Sequence, residues 1–174
     1  MSARSKAAIS QSPARVWIAA IALLCALTGT TLVASAAPHS GDVASAFSLP
    51  DASGGNVSLA RYKGKPLYIN FFASWCPPCN AEAANVGALY RKYHARGLAT
   101  LGIDEQEDAG KALGFAKKYH WSFAVALDDG RMGSDYGVVA LPVHIFIDKA
   151  GKISTYRLGE MSRSDVEAAI KKIL

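Results

Sequence analysis

Two cysteines three positions apart, in Ser74-Trp75-Cys76-Pro77-Pro78-Cys79, are the residues best placed for chemistry. They fall where an apolar run, Leu67 to Ala73, gives way to a helical pattern. CxxC spacing at such a junction puts both sulfurs on the first helical turn, close enough to bond. Unpaired backbone N–H groups and the dipole at a helix N-terminus favour a thiolate there. Cys76 is expected to be the more exposed thiol and the attacking nucleophile, and Cys79, one turn in, the resolving thiol. Pro77 and Pro78 stiffen the loop but have no N–H to solvate a thiolate. Two structural readings compete. A disulfide closing so small a loop would stabilise by about 2 kcal/mol, the weak end of the range. A structural zinc needs four ligands. Beyond the first 36 residues these are the only cysteines, and His39, His94, His120 and His144 are not spaced as ligand pairs. CxxC beside a βαβ pattern favours redox chemistry over both.

The elements that must position the pair can be read from periodicity. Phe47-Ser48-Leu49 and Val57-Ser58-Leu59 flank Gly54-Gly55, a hairpin signature. Leu67 to Ala73 reads as a buried central strand. Cys79 to Arg96 reads as a helix with Val86, Leu89, Tyr90 and Tyr93 on one face, ended by Gly97. Leu98 to Asp104 is a second buried strand. Ala112, Phe115, Ala116 and Tyr119 give the next helix its apolar stripe, and Phe123 to Leu127 forms a short strand. Val143 to Asp148 and Ile153 to Arg157 are strands joined by a Lys149-Ala150-Gly151 turn. A last helix begins with a capping box, Ser164 with Glu167. The first two long strands make a parallel crossover and the last two are antiparallel, so the class is α/β, a mixed sheet with helices on both faces. Leu141-Pro142, just before a strand, is either a strand-start proline or the site of a cis peptide bond whose backbone edge faces a substrate polypeptide.

The chain has 174 residues, 51% of them hydrophobic, a net charge of +5 and three cysteines. That composition argues against disorder and against a disulfide-dense scaffold. Residues 1–36 read as a signal peptide: Arg4, Lys6 and Arg15, then an apolar core from Val16 to Leu27, then Ala34-Ser35-Ala36 as the cleavage site. The rival reading is an uncleaved membrane anchor through the uncharged residues 16–37. Cys25 lies in this core and Leu24 before it is unlike a lipoprotein signal. On either reading residues 37–174 form one domain facing an oxidising space, the periplasm. Without residues 1–36 the charge falls from +5 to +2, which gives no support to a nucleic-acid partner.

Asn70-Phe71-Phe72-Ala73-Ser74-Trp75-Cys76-Pro77-Pro78-Cys79-Asn80-Ala81-Glu82 resembles the active-site region of the TlpA/ResA-like thioredoxin family. So do Phe47-Ser48-Leu49-Pro50-Asp51, Lys63-Gly64-Lys65-Pro66, and Leu141-Pro142 before Val143 to Asp148. The similarity spans about residues 43–174. It implies a thioredoxin-like fold with an N-terminal β-hairpin extension, and an extracytoplasmic thiol–disulfide oxidoreductase that works as a reductant. Its implied substrates are apocytochrome c cysteines or copper-site proteins of respiratory oxidases, and its implied cis proline is Pro142. Asn70 stands where thioredoxin proper has a buried Asp, and Glu82 matches an acid of the ResA-like branch. A carboxyl at Glu82 can accept the proton of Cys79 or act by like-charge repulsion. It can also simply complement the helix dipole. Ala84 replaces a family proline that kinks the helix, and Val143-His144 replaces the usual Thr-Thr.

The expected reaction is dithiol–disulfide exchange through a mixed disulfide on Cys76. Cys79 resolves it, Glu82 handles protons, and Trp75, Leu141 and Pro142 line the substrate groove. No organic cofactor or metal is assigned. The expected partners are protein thiols and disulfides and a membrane-bound dithiol electron donor. One rival is a Cu(I)-binding metallochaperone using the same two thiolates, with His144 as third ligand. As an alternative for His144, a satisfied sheet histidine is the preferred reading. Another rival, a peroxiredoxin-like peroxidase, lacks the expected Pro and Thr or Ser before the cysteine. The acidic run Asp104 to Asp108 reads as a solvated loop and helix start.

Overall fold

The computed structural model describes residues 37–174, so the signal or anchor assigned to residues 1–36 lies outside the described residues. Among the described residues no helix is long and apolar enough to cross a membrane. The chain opens with a hairpin, β1 (Ser48–Pro50) against β2 (Asn56–Ser58), antiparallel with Ser48 opposite Ser58. Gly54 and Gly55 take φ of 111° and 78° in its turn, a region that side-chain-bearing residues avoid. A 3₁₀ turn, Leu59–Tyr62, leads to the main sheet.

That sheet contains β3 (Leu67–Phe72), β4 (Ala99–Glu105), β5 (Ala124–Asp128), β6 (Val143–Ile147) and β7 (Ile153–Leu158). Their spatial order is β5-β4-β3-β6-β7. β3, β4 and β5 run parallel, β6 is antiparallel to β3, and β7 to β6. The helices are α1 (Pro77–Tyr93), α2 (Ala109–Lys118), α3 (Arg131–Asp135) and α4 (Arg163–Ile173). This is a thioredoxin-like fold with the expected hairpin extension.

β3 is central and every residue in it is buried, which is why its sequence does not alternate. Its side chains nonetheless divide between two cores. Tyr68 and Phe72 pack with Val86 and Leu89 of α1, Phe115 of α2 and Ile170 of α4. Ile69 and Phe71 pack with Val57 of the hairpin, Met132 of α3 and the following Tyr136. The three longer helices therefore share one face. The hairpin and the five-residue α3 cover the other. Helices do lie on both faces, but unevenly, and α3 had no apolar period to announce it. A strand-end carboxylate makes it: Asp128 accepts from the N–H groups of Met132 at 3.0 Å and Gly133 at 2.7 Å.

Two helix ends differ from the sequence reading. α1 starts at Pro77, two residues before the expected Cys79, because prolines at the first helical positions have no N–H to lose. It passes Ala84 unbroken, then tightens into a 3₁₀ turn, His94–Arg96, that Gly97 closes at φ 95°. The cap of α4 is Ser162, not Ser164: the Asp165 N–H reaches Ser162 Oγ at 3.2 Å, and that hydroxyl donates to Asp165 Oδ2 at 2.7 Å. Glu167 faces α1, where Lys92 Nζ lies 2.6 Å and Tyr93 OH 2.5 Å from its Oε1. A charged partner outcompetes a capping role and ties the two helices together.

Candidate active site

Cys76 and Cys79 are disulfide-bonded, with an S–S distance of 2.09 Å. Cys76 is the N-cap of α1. Pro77 and Pro78 fill the next two positions without N–H groups, so the Cys79 N–H is the first the helix can offer. It points at Cys76 Sγ, 3.3 Å away. The prolines thus remove two helix donors and leave the Cys79 N–H as the one shown on Cys76 Sγ. One expectation fails: Cys76 is no more exposed than Cys79, each at 2%. The neighbouring Trp75 carries the exposure instead, at 67%.

The loop before Cys76 is braced from two sides by residues given no role from sequence. Asn80 Nδ2 donates to the carbonyls of Ser74 and Cys76, both at 2.9 Å. Its Oδ1 accepts from Tyr119 OH at 2.7 Å and Lys118 Nζ at 3.1 Å. Glu107 accepts from both Ser74 N–H and Ser74 Oγ. The acidic run is therefore only partly the solvated loop it was expected to be. Asp108 does cap α2, accepting from the Lys111 N–H at 3.0 Å. Asp104, however, is fully buried, and neither carboxyl oxygen has a hydrogen-bond partner. Burial, and then the nearby charge of Glu107, push its carboxyl up to about 7. The available signal was position: Asp104 ends an apolar strand buried on both faces.

Glu82 is buried beneath α1, one turn beyond Cys79. Asn70 Nδ2 donates to its Oε1 at 3.3 Å, and the Met161 N–H to its Oε2 at 3.2 Å. Asn70 thus holds the acid that α1 supplies, where thioredoxin is expected to carry its own on the strand. His144, opposite Asn70 in the β3–β6 ladder, is fully buried. Its Nδ1 lies 2.8 Å from Tyr68 OH and its Nε2 3.3 Å from Glu82 Oε2. Burial and the Glu82 charge hold the Tyr68 phenol well above its usual value. His144 is therefore a buried sheet histidine, but not a fully satisfied one, because its Nε2 has no hydrogen-bond partner. Among the described residues no three His, Cys, Asp or Glu side chains gather into a group that could hold a metal ion.

Leu141-Pro142 is a cis peptide bond. Pro142 is buried at the start of β6, and half-buried Leu141 packs against the core that contains both cysteines. Cys76 and Cys79 thus belong to the core cluster against which Leu141 packs, Trp75 next to Cys76 in sequence is exposed, and Glu82 is buried one turn further along α1.

Residues 39–170 match the redoxin family. The chain is 35% identical over 128 residues to the thiol-disulfide oxidoreductase ResA of Bacillus thuringiensis subsp. konkukian, covering 73% of this chain and 74% of that one. A thiol:disulfide interchange protein of the thioredoxin family from Chlorobium tepidum superposes with a TM-score of 0.70 at 25% identity, covering 79% of this chain and 99% of that one. A secreted disulfide oxidoreductase of Mycobacterium tuberculosis, homologous to E. coli DsbE, gives 0.66 at 27% identity, covering 72% and 95%. The spacing of the two cysteines, their place at a helix N-terminus and these likenesses agree, and the chain belongs to the redoxin family, in its ResA-like branch of thioredoxin-fold thiol–disulfide oxidoreductases.

Proposed function

We propose that this oxidoreductase works outside the cytoplasm as a protein-disulfide reductase, with Cys76 as nucleophile. The observation that carries this is the Cys79 N–H aimed at Cys76 Sγ at the start of α1. A donor and a helix dipole converging on one sulfur favour its thiolate over its partner's. In the reduced enzyme that thiolate attacks a substrate disulfide, forming a mixed disulfide and releasing one substrate thiolate. Cys79 then gives its proton to Glu82 and attacks Cys76 Sγ. The Cys76–Cys79 bond forms, the second substrate sulfur leaves, and two electrons pass to the substrate.

Trp75, Leu141 and Pro142 form the rim on which a substrate polypeptide lies. The ResA-like resemblance supports apocytochrome c cysteines, or those of copper-site proteins, as substrates. The order of residues 1–36 supports a periplasmic location, reached by a cleaved signal or kept by a tether through residues 16–37. A reductant working outside the cytoplasm must be re-reduced there, and a membrane-bound dithiol protein is the donor this reading assigns. The reduction potential of the Cys76–Cys79 couple tests the direction. A value near thioredoxin's, about −270 mV, is expected. A value near that of the oxidant DsbA, about −120 mV, would overturn the reductant reading.

A further inference from the structure

Every polar group that faces the Glu82 carboxylate comes from a different element. Asn70 Nδ2 arrives from β3, the Met161 N–H from the loop before α4, and His144 Nε2 from β6. The first two can only donate. The role of His144 depends on which ring nitrogen carries hydrogen, and the surroundings of Nδ1 decide this. Asn70 Nδ2 lies 3.3 Å from Nδ1 and has no lone pair to offer it. Tyr68 OH, at 2.8 Å, can donate to it as well. Both contacts are satisfied only if Nδ1 accepts, which puts the hydrogen of the neutral ring on Nε2, facing Glu82 Oε2.

We propose that His144 is a positioning residue for thiol–disulfide exchange: its Nε2–H orients the Glu82 carboxylate for proton exchange with Cys79. This deepens the function proposed above and rests on Glu82 as the proton acceptor. At rest His144 Nε2 is close to Glu82 Oε2 but not in hydrogen-bond alignment, and it has no other partner. A small rotation of the carboxylate aligns them, so the contact is open to strengthening when the charge on Glu82 changes. Tyr68 fixes the ring from behind. The other titratable groups around the pair are Cys79, one turn earlier on α1, and Arg157 of β7, the register partner of His144, which is exposed.

The test is the pH profile of mixed-disulfide resolution. It is measured in single turnover with an oxidised model peptide on wild-type protein, E82Q, H144F, H144Q and the double variant E82Q/H144F. H144F keeps a planar ring, slightly larger, and removes the donor; H144Q restores an N–H. The proposal expects H144F to slow resolution about tenfold and move the pH profile, H144Q to recover most of the rate, and the double variant to be no slower than E82Q. A normal profile in H144F with a slowed E82Q overturns the role of His144 alone. A normal rate and profile in E82Q overturns the Glu82 reading beneath it. If H144F does not fold, the ring nitrogen shifts of the wild-type protein decide by NMR: hydrogen on Nε2 supports the proposal and hydrogen on Nδ1 overturns it.

Discussion

Glu107 accepts two hydrogen bonds from Ser74, one from its backbone N–H at 2.5 Å and one from its hydroxyl at 2.8 Å. A side chain on the approach to α2 thus fixes the residue two before Cys76. Its carboxylate is almost fully shielded from water, and the exposed Lys111 Nζ lies 3.8 Å away. E107Q keeps the shape but replaces one acceptor with a donor facing Ser74. Urea unfolding should show a loss of about 1.5–3 kcal/mol, the range for hydrogen bonds to a charged group. Unchanged stability would mean the bracing is idle.

Asp104 sets a pH dependence of stability. Its carboxyl is pushed up to about 7, above its ordinary 3.8, so the native state holds that proton more tightly than the unfolded chain. The fold carries no ionisation penalty from this acid at low pH. The penalty grows as pH rises from about 4 to about 7 and is complete above that. D104N cannot ionise. Its stability relative to wild type should rise by about 1–3 kcal/mol between pH 5 and pH 8. A constant difference across that window would contradict the assignment.

Gly102 is required by packing rather than by backbone conformation. A Cβ there would meet Trp121 at 2.9 Å and Phe72 at 3.2 Å, in the aromatic core beside the site. Both rings are held by Phe115, with centroids 5.2 Å and 4.5 Å from it. G102A should therefore lower stability by about 1–3 kcal/mol. Stability equal to wild type would show that the cluster yields freely.

The corrected cap of α4 gives a paired test. S162A removes the acceptor of the Asp165 N–H and should cost about 1 kcal/mol. S164A should cost much less, because Ser164 only meets the Ser162 hydroxyl, at 2.9 Å. Equal losses would return the cap to the register expected from sequence.

Much of this was legible before the structure. Near-continuous apolar runs marked the central strands and period-3.6 stripes the long helices, because the strands are buried on both faces and the helices on one. The CxxC junction marked the two cysteines that the structure joins in a disulfide at the start of α1. Leu141-Pro142 marked the cis bond only through the family resemblance, since spacing alone allowed an ordinary strand-start proline. What escaped was set by contacts distant in sequence. Glu107 reaches Ser74 across the βαβ crossover, and His144 meets Glu82 through a strand pairing. The Ser162 cap was missed because Ser162-x-x-Asp165 and Ser164-x-x-Glu167 compete locally, and Lys92 and Tyr93 on another helix decide between them. The equal burial of the two cysteines was missed for a similar reason: helix position fixes which sulfur receives the N–H, not which sulfur solvent reaches.

The central claim is that Cys76 attacks and Cys79 resolves. Incubating reduced C79S and C76S with an oxidised Cys-x-x-Cys-His peptide and reading covalent adducts by mass spectrometry tests it most directly. C79S should accumulate a dithiothreitol-sensitive adduct at Cys76, and C76S should accumulate almost none. An adduct that forms on Cys79 in C76S, and not on Cys76 in C79S, would contradict the account.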